Sequence, residues 1–296
     1  MASILVSIGA PDTEKGLHYH PTEDNTRRAF DGAAPTYDSD YEHLHGIQRL
    51  RTIIHRTYLR YFAGGQHLLE LNCGTGTDAI ALARKGMHVQ ATDVSSGMIA
   101  QTREKIRTAG LEQLVEVRVL SYHDLHQLVG TMFDGAYSNM GGLNCTDDLA
   151  GIAQNLASLV TPGGYFIATV MTNFCLWETL ACASRLQLRN AFRRRQPNGV
   201  AARLQDGIVQ TYYYAPGTFA SAFAPYFDRM ESQGLNIFTP PPNSTRAYAA
   251  APTILNALEK FDDRISRLPV VSSAGDHFLM VLRRKDPDRK AGQDLP

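Results

Sequence analysis

The chain of 296 residues, 44% of them hydrophobic, is long enough for one well-buried α/β domain with a sizeable appendage and does not require two full domains. Lysine plus arginine and aspartate plus glutamate each number 29, so no overall field recruits nucleic acid or an anionic membrane. The four cysteines, Cys73, Cys145, Cys175 and Cys182, show neither a CxxC pair nor zinc-ligand spacing, which argues against a disulfide framework or a metal site and fits the cytoplasm.

In chain order, the run Met1 to Ala10 lacks the basic start and long apolar core of an export signal, and no later stretch reaches the length of a membrane span. Residues 11–40 mix Pro, Asp, Thr, Gly and His and are expected to be irregular, whereas Leu44, Ile47, Leu50, Ile54 and Tyr58 are spaced for a helix over Tyr41 to Tyr61. Together they form an N-terminal cap, 1–66. From His67 short apolar runs alternate with amphipathic stretches. Strands are expected at His67–Leu71, His88–Asp93, Val115–Leu120, Phe133–Tyr137 and Gly164–Val170, with helices at Asp78–Lys85, Gly97–Ala109 and Asp147–Leu159. That alternation predicts an α/β core over 67–171, a mostly parallel sheet with helices on both faces.

After Met171 the rhythm breaks. A helix over Leu176 to Phe192 leads into Arg193-Arg194-Arg195, followed by a strand at Val209–Tyr214, a helix at Thr218–Phe227 and a strand at Met230–Phe238. Past the prolines 240–242 come a helix at Thr253–Leu268 and a last strand at His277–Leu282. Residues 172–270 thus predict an inserted helical and aromatic lid with an additional strand. Residues 271–296 predict a final core strand and a solvated tail.

The strongest local signal is Leu68-Leu69-Glu70-Leu71-Asn72-Cys73-Gly74-Thr75-Gly76-Thr77-Asp78. An apolar strand carrying an acid runs through a glycine turn into a helix, so a nucleotide-like ligand can approach the backbone. Seventeen residues beyond Gly76, Asp93 ends the next strand, where a carboxylate can accept from both ribose hydroxyls. Taken alone, the turn also fits a nicotinamide or flavin fingerprint.

These residues resemble the class I S-adenosylmethionine-dependent methyltransferases, and Phe133-Asp134, the Pro162-Gly163-Gly164 turn and the segment Phe30 to Asp38 follow in that family's order. The resemblance implies a Rossmann-like seven-stranded sheet, S-adenosylmethionine as cofactor with S-adenosylhomocysteine as product, and methyl transfer to a small molecule. It implies cofactor contacts at Tyr37, Glu70, Asn72, Cys73, Gly74, Thr75, Gly76, Asp93, Val94, Met98, Ser121, Tyr122 and Asn139. Asn72 stands where the family has its first glycine, and asparagine is the best tolerated substitute if the position needs positive φ. Ser121 and Tyr122 stand where the family often places an acid and an adenine neighbour, which leaves the adenine amino group to backbone carbonyls or Asp124.

The acceptor is expected beyond the fourth and fifth strands, with Asn144, Trp177, Tyr212 and Tyr214 as candidates. Asn144 reads equally well as a helix cap, and the aromatics as a core that holds the lid. Arg185, Arg189 and Arg193 to Arg195 suit either an anionic group on the acceptor or a solvated face. A base is needed only for an acceptor that must lose a proton, and among His18, His20, His43, His45, His55, His123 and His277 the sequence selects none. The rival readings are a nicotinamide-dependent oxidoreductase and a protein that binds S-adenosylmethionine without transferring the methyl group.

Overall fold

The computed structural model describes residues 23–205, 207–269 and 271–286. The first part of the cap, with His18 and His20, and the tail from residue 287 lie outside the described residues. Strands β1 (His67–Leu71), β2 (His88–Asp93), β3 (Val115–Val119), β4 (Phe133–Ser138), β5 (Val160–Met171), β8 (Phe227–Leu235) and β9 (His277–Arg284) form one sheet in the order β3-β2-β1-β4-β5-β9-β8. The first five are parallel, and β9 runs antiparallel between β5 and β8. This is the expected Rossmann-like sheet. Its order reverses between β1 and β4, so a crevice opens outside their carboxyl ends.

Side-chain periodicity explains both layers. One face of the sheet packs against the helix His45–Tyr61 through Ile47, Leu50, Ile54 and Tyr58, with Ile80 and Ile99 from the next two helices. The other face packs Phe166 and Phe278 against Ile152 and Leu156 of Leu149–Leu159 and against Phe219 and Phe223 of Pro216–Phe223. The helix Ser96–Ala109 is capped by Ser95, whose Oγ accepts the Met98 N–H at 3.1 Å.

Several expectations differ from the structure. Residues 23–41 are helical, over Glu23–Ala33 and Tyr37–Tyr41, because Asp24 pairs with Arg28 and Arg27 with Asp31 at helical spacing while Ala29, Phe30 and Ala33 face inward. The expected helix 176–192 stops at Ala183, and Leu186 takes a positive φ of 59° before a short turn at Leu188–Ala191. The strand expected at 209–214 is instead β7 (Gly207–Thr211), which forms a separate hairpin with β6 (Val200–Leu204). Finally, β8 and the helix Pro216–Phe223 belong to the main body, so within 172–270 only the stretches on either side of 216–235 lie over it. The Leu149–Leu159 helix is capped by Asp148 rather than by Asn144 or Asp147.

Candidate functional site

The glycine turn connects β1 to the helix Thr77–Ala83 at the crevice. Asn72 has φ 51°, the left-handed conformation in which asparagine is the best tolerated substitute for glycine. Its side chain crosses to the β4 loop, accepting from Ser138 Oγ at 2.9 Å, and a Cβ on Gly142 would lie 1.9 Å from Asn72 Nδ2. The asparagine is therefore accommodated only because position 142 is glycine. Gly76, at φ 77°, touches Thr102, whose hydroxyl donates to the Gly74 carbonyl at 2.8 Å. Cys73 and Thr75 are buried in this turn.

Glu70 and Asp93 flank the turn with opposite kinds of support. Asp93 is buried and accepts from the Gly74 and Ser95 backbone N–H groups, each at 2.9 Å, one on each carboxylate oxygen. Burial still pushes its carboxyl up to about 6, with the two N–H groups pulling the other way. Glu70 is also buried, and its Oε2 has no hydrogen-bond partner among the described residues. Burial, reinforced by the nearby Asp78 and Asp93, raises its carboxyl well above the usual range. An unmatched carboxylate oxygen beside a glycine turn suits a cationic ligand group.

The cap closes on the turn through groups that motif reading passed over. Asp31 Oδ1 accepts from the Gly97 N–H at 2.8 Å and from Ser95 Oγ at 2.7 Å, fastening the helix Glu23–Ala33 to the start of Ser96–Ala109. Thr75 Oγ1 donates to Asp38 at 2.5 Å, and Lys105 Nζ reaches the other Asp38 oxygen at 2.7 Å. Asp78 gathers His55 at 2.6 Å, Asn139 at 2.6 Å and Arg51 at 3.7 Å. Against the burial that would raise it, these partners pull its carboxyl down to about 2. The segment Phe30 to Asp38, which the resemblance placed ahead of the core, is the sequence signal that pointed to this clasp. Tyr37 and Met98 sit in the small core between cap and hairpin, with Phe30, Leu204 and Val209, and Val94 is half-buried at the end of β2.

Ser121 and Tyr122 follow β3 as expected; Ser121 Oγ accepts the His123 N–H at 3.0 Å, and Asp124 caps no N–H. Asn139 follows β4, but its amide is taken up by Asp78 and by the Met140 N–H at 2.6 Å, so it positions the loop. A groove of about 600 Å³ between the helix Glu23–Ala33 and the hairpin, lined by Ala29, Leu204 and Ile208 among others, shares no lining residue with the turn.

On the acceptor side the residues separate. Asn144 is fully buried: Nδ2 donates to the Met171 and Tyr212 carbonyls at 3.2 and 2.6 Å, and Oδ1 accepts the Met171 N–H at 2.9 Å. It ties the segment after β7 to β5. The Tyr214 hydroxyl donates to the Thr146 carbonyl, and its ring meets Phe219, so it too holds the segment down. Trp177 and Tyr212 are half-buried. Two arginines of the run turn inward while Arg195 is exposed: Arg193 and Arg194 bond Glu178 at 2.5 and 2.7 Å, and Arg194 bonds Asp276 at 2.6 Å. Arg194 is 4% exposed, so it neither grips an acceptor anion nor forms a solvated face.

Comparison with known proteins agrees with this geometry. Residues 68–164 match the family model described as a methyltransferase domain. The chain is 28% identical over 158 residues to the ubiquinone biosynthesis O-methyltransferase of Xylella fastidiosa (strain 9a5c), covering 51% of this chain and 63% of that protein, less than two thirds of its length. Over 73 residues it is 33% identical to the S-adenosyl-L-methionine-dependent Diels-Alderase iliD of Neonectria sp. (strain DH2), covering 24% of this chain and 30% of that one. The crystal structure of the [4+2]-cyclase SpnF shares the fold, with a TM-score of 0.62 at 17% identity over 92% of this chain and 99% of that chain. Residues 68–164 are thus similar to a methyltransferase domain, set in the seven-stranded sheet described above.

Proposed function

We propose that the chain binds S-adenosylmethionine in the crevice between β1 and β4 and transfers the methyl group to a small-molecule acceptor in the cytoplasm. The observation that carries this reading is Glu70, whose buried Oε2 lacks a partner beside a glycine turn that leaves Gly74 open to a ligand. Glu70 takes the ammonium of the methionine end, the turn carries the backbone against it, and Asp93 accepts from the ribose hydroxyls while keeping its two N–H donors. Ser121, Tyr122 and Asp124 border the adenine end. A bound sulfonium supplies an electrophilic methyl group, and the chain's task is to align the acceptor and exclude water. A nicotinamide dinucleotide has no ammonium group to donate hydrogen bonds to Glu70, which disfavours the oxidoreductase alternative.

Balanced charge supports a small-molecule acceptor over nucleic acid, and the four unpaired cysteines support a reducing compartment. Among the described residues no helix is long and apolar enough to cross a membrane. The test is binding of labelled S-adenosylmethionine against NAD, followed by incubation with a metabolite extract. Production of S-adenosylhomocysteine with an acceptor that gains one methyl mass is expected. Tight binding with no transfer would leave a cofactor-binding protein or a cyclase-like catalyst, and preference for NAD would overturn the proposal.

A further inference from the structure

Buried polar groups outside the cofactor crevice gather on one face of the sheet. Tyr137 pairs in register with Ile167, and Met171 pairs with His277, so Tyr137, Thr169, Met171 and His277 all project toward the helix His45–Tyr61. The Thr169 hydroxyl and the His277 Nε2 are buried without a hydrogen-bond partner among the described residues. His277 opens β9 at the carboxyl edge, where β5 ends at Met171. Two strand spacings, roughly 10 Å, separate it from the Asn139–Gly141 loop at the end of β4. Met171 spans that interval: a Cβ on Gly141 would touch its Cε at 3.2 Å.

His277 also has a carboxylate beside it. Its Nδ1 lies 2.9 Å from Asp276 Oδ2, at a poor angle for a hydrogen bond, while Asp276 Oδ1 is fixed by Arg194 at 2.6 Å. Three other histidines at this end of the molecule are already engaged, His55 by Asp78, His45 by Glu259 and His123 by Thr146, and His43 is exposed. His67 and His88 begin β1 and β2, at the opposite edge.

We infer that His277, oriented by Asp276, is the general base that takes the proton from a phenolic or catecholic acceptor lying over Met171, between the Asn139–Gly141 loop and β9. The inference rests on the methyl-transfer reading above. A phenol, ordinarily near 10, is within reach of an imidazole, whereas an aliphatic hydroxyl is not. Met171 and the Tyr213 ring supply apolar surface for an aromatic acceptor. The acceptor oxygen bonds the methyl carbon as the sulfur–methyl bond breaks to a neutral thioether, and the hydroxyl proton passes to Nε2 and then to solvent on product release.

Burial holds the His277 imidazole below its usual value against the pull of Asp276, which keeps it neutral at pH 7. The groups around the pair are Arg194 and Glu178 from the lid, Cys175, Tyr213, and Tyr248 from the helix Thr245–Ala250. His277 is 1% exposed, so the lid must part for an acceptor to enter.

The experiment compares catechol with 4-nitrocatechol, which is already ionised at neutral pH, as acceptors for labelled S-adenosylmethionine. His277→Gln should lower catechol turnover by about 10²- to 10⁴-fold and nitrocatechol turnover by less than about tenfold, with cofactor affinity by calorimetry unchanged. Equal losses on both acceptors would make His277 structural and overturn the inference. If the variant does not fold, the pH dependence of the unmodified protein at saturating S-adenosylmethionine decides: catechol turnover should fall in acid with an inflection below 6.5, and nitrocatechol turnover should instead follow that acceptor's own ionisation. Matching profiles overturn the base. Methylation of amines or carbon acids with no phenol accepted overturns the base and leaves methyl transfer standing. No S-adenosylhomocysteine from any acceptor removes both.

Discussion

Replacing Asp93 by asparagine keeps its shape and removes its charge, which separates ligand binding from folding. Its carboxyl rises from 3.8 to about 6 in the fold, so between those values the folded chain holds more proton than the unfolded one, and this group lowers stability as pH rises through that window. At pH 7 the ionised form therefore costs about 3 kcal/mol, which Asp93→Asn relieves. The amide in turn offers one oxygen to two donors, Gly74 N–H and Ser95 N–H, and leaves one of them facing its NH₂ at a cost of about 1–3 kcal/mol. Net stability should move by less than about 2 kcal/mol. Binding has no such compensation. Two charge-assisted hydrogen bonds to the ribose become neutral or are lost, a penalty of about 2–3 kcal/mol, or about 30- to 150-fold in Kd. In the unmodified chain, affinity should also weaken by up to about tenfold per unit below pH 6, as the proton must be displaced, and Asp93→Asn should lack that slope. Calorimetry from pH 5 to 8 beside thermal melts reads both effects. The same Kd within about twofold, with the same pH slope, in a folded variant would refute the ribose clamp.

Three further outcomes follow from the geometry. Glu70→Gln should weaken S-adenosylmethionine by about tenfold or more while leaving adenosine nearly unaffected, and binding to the unmodified chain should release a proton, read as buffer-dependent heat, because burial raises the Glu70 carboxyl before the ammonium arrives. Asn144→Ala removes two hydrogen bonds to Met171 of β5 and one to Tyr212, and should cost about 2–4 kcal/mol in urea unfolding, with cofactor affinity kept within about threefold. Arg194→Met leaves Asp276 buried without its cation and Glu178 with Arg193 alone, and should destabilise the chain by about 3–5 kcal/mol, measured in the same way; a loss under about 1 kcal/mol would mean that the network is not stabilising.

What the sequence determined by itself was the local part of the molecule. Strands and helices of 67–171 follow from apolar periodicity, and Glu70, the glycine turn and Asp93 could be placed together because the β-turn-α connection holds them within one short stretch of chain. Even the positive φ of Asn72 was legible, since few residues tolerate it. The tertiary structure decided whatever depends on partners distant in sequence. Arg194 looks like part of a basic surface until Asp276, 82 residues away, turns it inward, and Asn144 looks like a cap until Met171 and Tyr212 occupy its amide. His277 was one histidine among several until β9 inserted between β5 and β8 and set it against Met171. Periodicity records which face of an element is buried, whereas the identity of the neighbour on that face is set by strand order, which local sequence does not encode.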